Sequence, residues 1–164
     1  MQWLYTACND KYTYLFVHEK HSFEAFNSEQ SLLKDFKYNA VHDCLASYFK
    51  FDINHIICNA HILRELMGLI EQGSNWAQQF YTFLLDCYHK NIDIQTVNNH
   101  YLEITKLADL EEPQPYKMPN IRGKPKKTKG RCLLERLIKY KEGILAFVFD
   151  SDIPFTNNQA ERDI

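Results

Sequence analysis

Residues 39–66 read NAVHDCLASYFKFDINHIICNAHILREL, and this stretch decides the fold class. Residues 39–43 (NAVHD) predict a short strand that ends in a carboxylate, Asp43. Residues 55–58 (HIIC) form another short apolar run. At Asn59 the period changes. Leu63, Leu66, Met67 and Ile70 fall at i, i+3, i+4 and i+7, the spacing of one helix face, and Gly73 supplies a stop. Short strands feeding a helix point to an α/β protein.

The same reading extends in both directions. Residues 2–18 predict a hairpin: QWLYTAC and YTYLFVH are rich in aromatic and β-branched residues, with Asn9, Asp10 and Lys11 as turn formers between them. Residues 22–36 carry Phe23, Phe26, Leu33 and Phe36 at helical intervals behind Ser22 as N-cap, which predicts a helix. Beyond Gly73, one stripe of Trp76, Phe80, Phe83, Leu84, Cys87 and Tyr88 and another of Ile94, Val97, Tyr101, Ile104 and Ala108 predict two more helices. Aromatic stripes of this kind are first of all core. Pro113, Pro115, Pro119 and Pro125 forbid a continuous helix across 111–130. A single further helix is expected to carry Leu134, Leu137, Ile138, Leu145 and Val148 on one face. A loop and the short segment NNQAERDI follow. The expected blocks are a sheet portion at 1–58, helices and a basic linker at 59–130, and closing helices at 131–164.

The chain has 164 residues, 45% apolar and 24% charged, with a net charge of −2. That is ordinary for one globular domain and excludes a protein that wraps nucleic acid by bulk positive charge. No apolar run is long enough to span a bilayer, and the start lacks the pattern of a secretory signal, so a cytoplasmic location is expected. The five cysteines (8, 44, 58, 87 and 132) are odd in number and scattered, and read as reduced thiols. Neither common glycine-rich nucleotide-binding fingerprint occurs.

Three groups of residues offer chemistry. Asp43 at a strand's carboxyl end stands where α/β sheets commonly open a crevice, although a carboxylate there also caps turns. Glu161 lies near an expected helix start, where a glutamate also suits the helix dipole. Two such carboxylates could share Mg²⁺, a cation that takes oxygen ligands. Cys58 and His61 have metal-ligand spacing, with His42, Cys44 and His55 nearby in sequence. Four ligands make a structural zinc site, and the alternative is a buried thiol beside a hydrogen-bonded imidazole. Residues 117–131 hold seven Lys or Arg and no acid. Lys124, Lys126, Lys127, Lys129 and Arg131 could contact phosphates without reading sequence, or form a solvated linker.

The string VHDCLASYFKFDINHIICNAHILREL (41–66) resembles the VHD-x4-YF…H-x-x-CNAH-x-LREL segment of insertion sequence 66 family transposases. LLERLIKYKEGILAFVFDSDIPFTNNQAERDI (133–164) is similar to that family's block LLxRLxKYxxxxLxFxxDxxxPFTNNQAERD, and WLYTACNDKYTYLFVHEKHSFEAF (3–26) resembles an earlier one. The likeness spans essentially the whole chain.

The resemblance implies a ribonuclease H-like core of the DDE class, in which three carboxylates hold two Mg²⁺ ions for in-line attack on DNA phosphodiesters. By motif position Asp43 matches the second carboxylate and Glu161 the third, while Cys58 and His61 match a structural C-x-x-H element. In the family the first Asp lies in an Asp-Glu-Thr motif upstream of the tryptophan that matches Trp3. No such motif occurs in this sequence, and Asp10, in the hairpin turn, cannot replace it. The resemblance therefore implies a core lacking its first strand, with a large helical insertion, truncated at both ends and inactive alone. DNA is the expected partner. The alternatives are a non-catalytic fragment that binds DNA, an intact transposase or a second copy of itself, and a zinc-binding interaction module.

Overall fold

The computed structural model describes residues 2–90, 92–116 and 123–158. They form two compact units, one of residues 1–60 with 152–164, the other of residues 61–151. The protein is mixed α/β, with small sheets in the first unit. The closing helices group with the other helices of 61–151.

In the first unit, β1 (Trp3–Cys8) and β2 (Thr13–His18) pair antiparallel, from Trp3 opposite His18 to Cys8 opposite Thr13. Asn9 makes the turn: its Oδ1 accepts from the Lys11 and Tyr12 N–H groups, the local bonding for which asparagine is favoured in turns. Alternation sends Tyr5 and Phe16 inward and leaves Leu4, Leu15 and Val17 exposed. Tyr5 stacks on Phe16 and meets Phe26 edge-on, and Phe26 packs on Tyr48. Leu33, Leu45 and Phe51 complete this small core.

The helix expected over 22–36 is a correction. Only α1 (Phe23–Phe26) forms, followed by a separate 3-10 turn at Leu32–Lys34. Ser22 makes no capping bond, and Ser28 turns its hydroxyl onto the Ala25 carbonyl. Short polar side chains that bond the nearby backbone compete with helix propagation.

β3 (Asn39–His42) and β4 (Asn54–Ile57) pair parallel, with His42 opposite Ile57. Residues 43–53 cross between them through a 3-10 turn at Tyr48–Lys50. Among the described residues the sheets stay separate, β1 with β2 and β3 with β4.

α2 (Asn59–Ile70) leads into the helical unit, and Gly73, at a φ of 87°, ends that run. Its buried face is Ile62, Leu66 and Leu69; Met67 lies exposed. α3 (Asn75–His89), α4 (Ile94–Glu111) and α5 (Lys129–Lys139) start from Ser74, Asp93 and Thr128, each accepting a backbone N–H from its helix's first turn. The expected stripes beyond Gly73 are buried, except that Ile94, Tyr88 and Ile138 face outward and Val148 is half-buried. Phe80 and Phe83 meet Tyr101 edge-on.

The single helix expected to carry Leu134 to Val148 is two, α5 and then α6 (Lys141–Phe149), divided at Tyr140. The buried Tyr101 hydroxyl donates to the Leu137 carbonyl at 2.8 Å. That is the acceptor a continuing helix would offer to Lys141, so the tyrosine satisfies the carbonyl where the helix ends.

Candidate active site

Parallel pairing places the carboxyl ends of β3 and β4 side by side. Asp43 follows the first and Cys58 follows the second, and the Cys58 N–H donates to the His42 carbonyl at 2.9 Å. Asp43 is exposed, with Oδ1 accepting from the Leu45 N–H at 3.1 Å. It thus does cap its own turn, as a carboxylate in that place commonly does. Among the described residues it makes no ion pair, so an exposed carboxylate remains open to a cation.

The distant segment 155–158 is fastened to this same end of the sheet. The Asn59 N–H donates to the Phe155 carbonyl at 3.1 Å, and the Asn157 N–H donates to Cys58 Sγ at 3.3 Å. Cys58 is fully buried and Phe155 nearly so. Two motifs far apart in sequence, CNAH and PFTNN, are thereby joined backbone to backbone and backbone to thiol. Glu161 lies outside the described residues.

His42 is buried beneath the Asp43 turn. Its Nδ1 accepts the Cys44 N–H at 3.1 Å, and its Nε2 lies 3.1 Å from His55 Nδ1. Its ring stacks on Tyr48. Burial pushes its pKa down to about 4, with His55 adding to the shift and Asp43 opposing it. Burial likewise raises the Tyr48 phenol. Sequence reading noted His42 and His55 only as possible zinc ligands. Among the described residues no group of three or more His, Cys, Asp or Glu side chains is arranged to hold a metal. His61 stands in the first turn of α2.

The basic stretch divides in two. Lys124, Lys126 and Lys129 are exposed. Lys127 donates to both Glu135 carboxylate oxygens, at 2.7 and 2.6 Å. Arg131 is buried in the helical unit, its side chain 7% exposed. Its guanidinium bonds Asp109, the Glu112 carbonyl and Glu135. Lys127, Gln114 and Arg131 together hold the Glu135 carboxyl down at about 2. Arg131 therefore joins α4 to α5, where the sequence pattern suggested a cation facing solvent.

A family model described as Transposase IS66 family matches residues 1–164, the whole chain. The chain belongs to the IS66 transposase family. No curated protein and no solved structure matches it. In this family member the CNAH segment supplies the surface on which the PFTNN segment docks. No helix among the described residues is long and apolar enough to cross a membrane.

Proposed function

We propose that this chain supplies the second and third metal-binding carboxylates, Asp43 and Glu161, of a DDE transposase core that cleaves and joins DNA. The observation that carries the reading is the docking of 155–158 on the carboxyl ends of β3 and β4. Glu161 follows Asn158 by three positions, and three peptide units reach at most about 11 Å. The segment is anchored at Cys58 and Asn59, just past β4 and beside the strand that leads into Asp43, which favours a site shared by the two carboxylates.

The residues suit Mg²⁺ in kind. Asp43 offers an exposed hard oxygen donor at the end of a parallel strand, and Glu161 would offer another. When bound, such ions supply Lewis acidity toward the attacking water or 3′-hydroxyl and toward the leaving oxygen. Asp43 and Glu161 would hold them in place, and Lys124, Lys126 and Lys129 would attract the DNA backbone. In a ribonuclease H-like layout, a strand bearing the family's first Asp would lie between β1 and β3.

Cleavage of supercoiled plasmid tests the reading. With Mg²⁺ or Mn²⁺ the chain alone neither nicks nor joins DNA, because two carboxylates of three leave the cations poorly held. Metal-dependent nicking that disappears in Asp43→Ala would show a full carboxylate set within these 164 residues and overturn the two-of-three assignment.

A further inference from the structure

Among the described residues, Cys44 is the non-glycine residue with a positive φ, 68°. Left-handed backbone costs an L-residue energy, and cysteine lacks the short amide or carboxylate that eases it for Asn and Asp. Such a conformation persists where its surroundings over-determine it, and here it immediately follows Asp43.

The backbone of Cys44 bonds the His42 side chain. The Cys44 backbone N–H can only donate, so the His42 Nδ1 that receives it carries no proton. The neutral ring then bears its proton on Nε2 and donates to His55 Nδ1. The ring is fixed from several sides: stacked on Tyr48 at 4.4 Å between centroids, edge-on to Phe49 at 5.2 Å, and bonded to His55 on β4. Leu45 closes the turn by donating to Asp43.

We propose that His42 is a positioning residue for Asp43: held by His55, Tyr48 and Phe49, its bare Nδ1 captures the Cys44 N–H, locks the left-handed turn and presents the Asp43 carboxylate at the end of β3. The inference rests on the reading of Asp43 as a metal ligand. It goes further in assigning the geometry of that ligand to a histidine that touches neither metal nor DNA.

Nuclear magnetic resonance on the whole chain tests it, with Mn²⁺ as the probe. In the wild type, ¹⁵N-histidine spectra report His42 protonated on Nε2 alone. A strong intraresidue amide-to-Hα Overhauser effect reports the positive φ at Cys44, and Mn²⁺ broadens the Leu45 amide. His42→Asn places an acceptor oxygen where Nδ1 stands and retains both the Cys44 effect and the broadening. His42→Leu loses both while the resonances of 61–111 stay unchanged. Wild-type His42 protonated on Nδ1, or an unaltered Cys44 turn in His42→Leu, overturns the proposal, and the tautomer decides even if that variant does not fold. Asp43→Asn separates the two ideas: broadening that survives it sinks the metal reading, whereas a Cys44 turn that survives it, with broadening lost, supports both.

Discussion

Cys58 Sγ accepts a hydrogen bond from the backbone N–H of Asn157, a residue 99 positions further along the chain. The thiol is fully buried, where a free cysteine normally behaves as a small apolar group. Here it also satisfies a backbone donor and pins the segment that leads to Glu161.

Removing the sulfur should release that segment. Cys58→Ala leaves the Asn157 N–H without its acceptor and opens a small void, which together lower stability by about 1–3 kcal/mol. Cys58→Ser keeps an acceptor and loses less. Amide exchange at Asn157 is the sharper readout: protected in the wild type and in Cys58→Ser, fast in Cys58→Ala. Equal exchange rates in all three would mean that the thiol anchors nothing.

Acid should loosen the sheet unit through His42. Its pKa in the folded protein is pushed down to about 4, below the ordinary imidazole value of 6.5. The unfolded chain therefore binds the proton first as pH falls. The stability held by the neutral ring is fully present above pH 6.5 and is lost progressively toward pH 4, by up to roughly 3 kcal/mol. Carboxylates add their own slope at the acid end, so the comparison is wild type against His42→Asn in urea unfolding at several pH values. Identical pH slopes for the two proteins would remove His42 from the account.

The hairpin and the two short strands after it were legible because their signals are local: aromatic and β-branched runs, and an asparagine whose side chain builds the turn beside it. The apolar stripes of α3 and α4 were legible for the same reason, whereas the caps Ser74, Asp93 and Thr128 emerge from the structure. Features set by distant partners were not. Nothing near Tyr140 in sequence reveals that the Tyr101 hydroxyl meets the Leu137 carbonyl. Arg131 looked like one cation among several because two of its acceptors, Asp109 and Glu112, lie about 20 residues upstream. Glu135, one helical turn beyond Arg131, was the available hint. At the candidate site, Asp43 could be marked from its place at a strand end. The left-handed Cys44 and the histidine pair behind it depend on the pairing of β3 with β4.

That division of the basic stretch gives two separable outcomes. Arg131→Ala removes a buried side chain that bonds Asp109, the Glu112 carbonyl and Glu135, and lowers stability by about 1–3 kcal/mol, read as an earlier urea midpoint. Replacing Lys124, Lys126 and Lys129 together by Ala leaves that midpoint in place. The triple variant instead weakens DNA binding and flattens its dependence on salt, because fewer counterions are released. An unchanged salt dependence in the triple variant would place the DNA contacts elsewhere.

The account turns on whether Asp43 and Glu161 share a metal site, and carboxylate carbon resonances measure that directly. In protein labelled with ¹³C at the Asp and Glu carboxyl groups, substoichiometric Mn²⁺ should broaden the Asp43 and Glu161 signals together. Asp43→Asn should relieve the broadening at Glu161, and Glu161→Gln the broadening at Asp43. Broadening confined to one of the two, or unchanged at Glu161 when Asp43 is replaced, would place the carboxylates in separate sites and contradict the assignment.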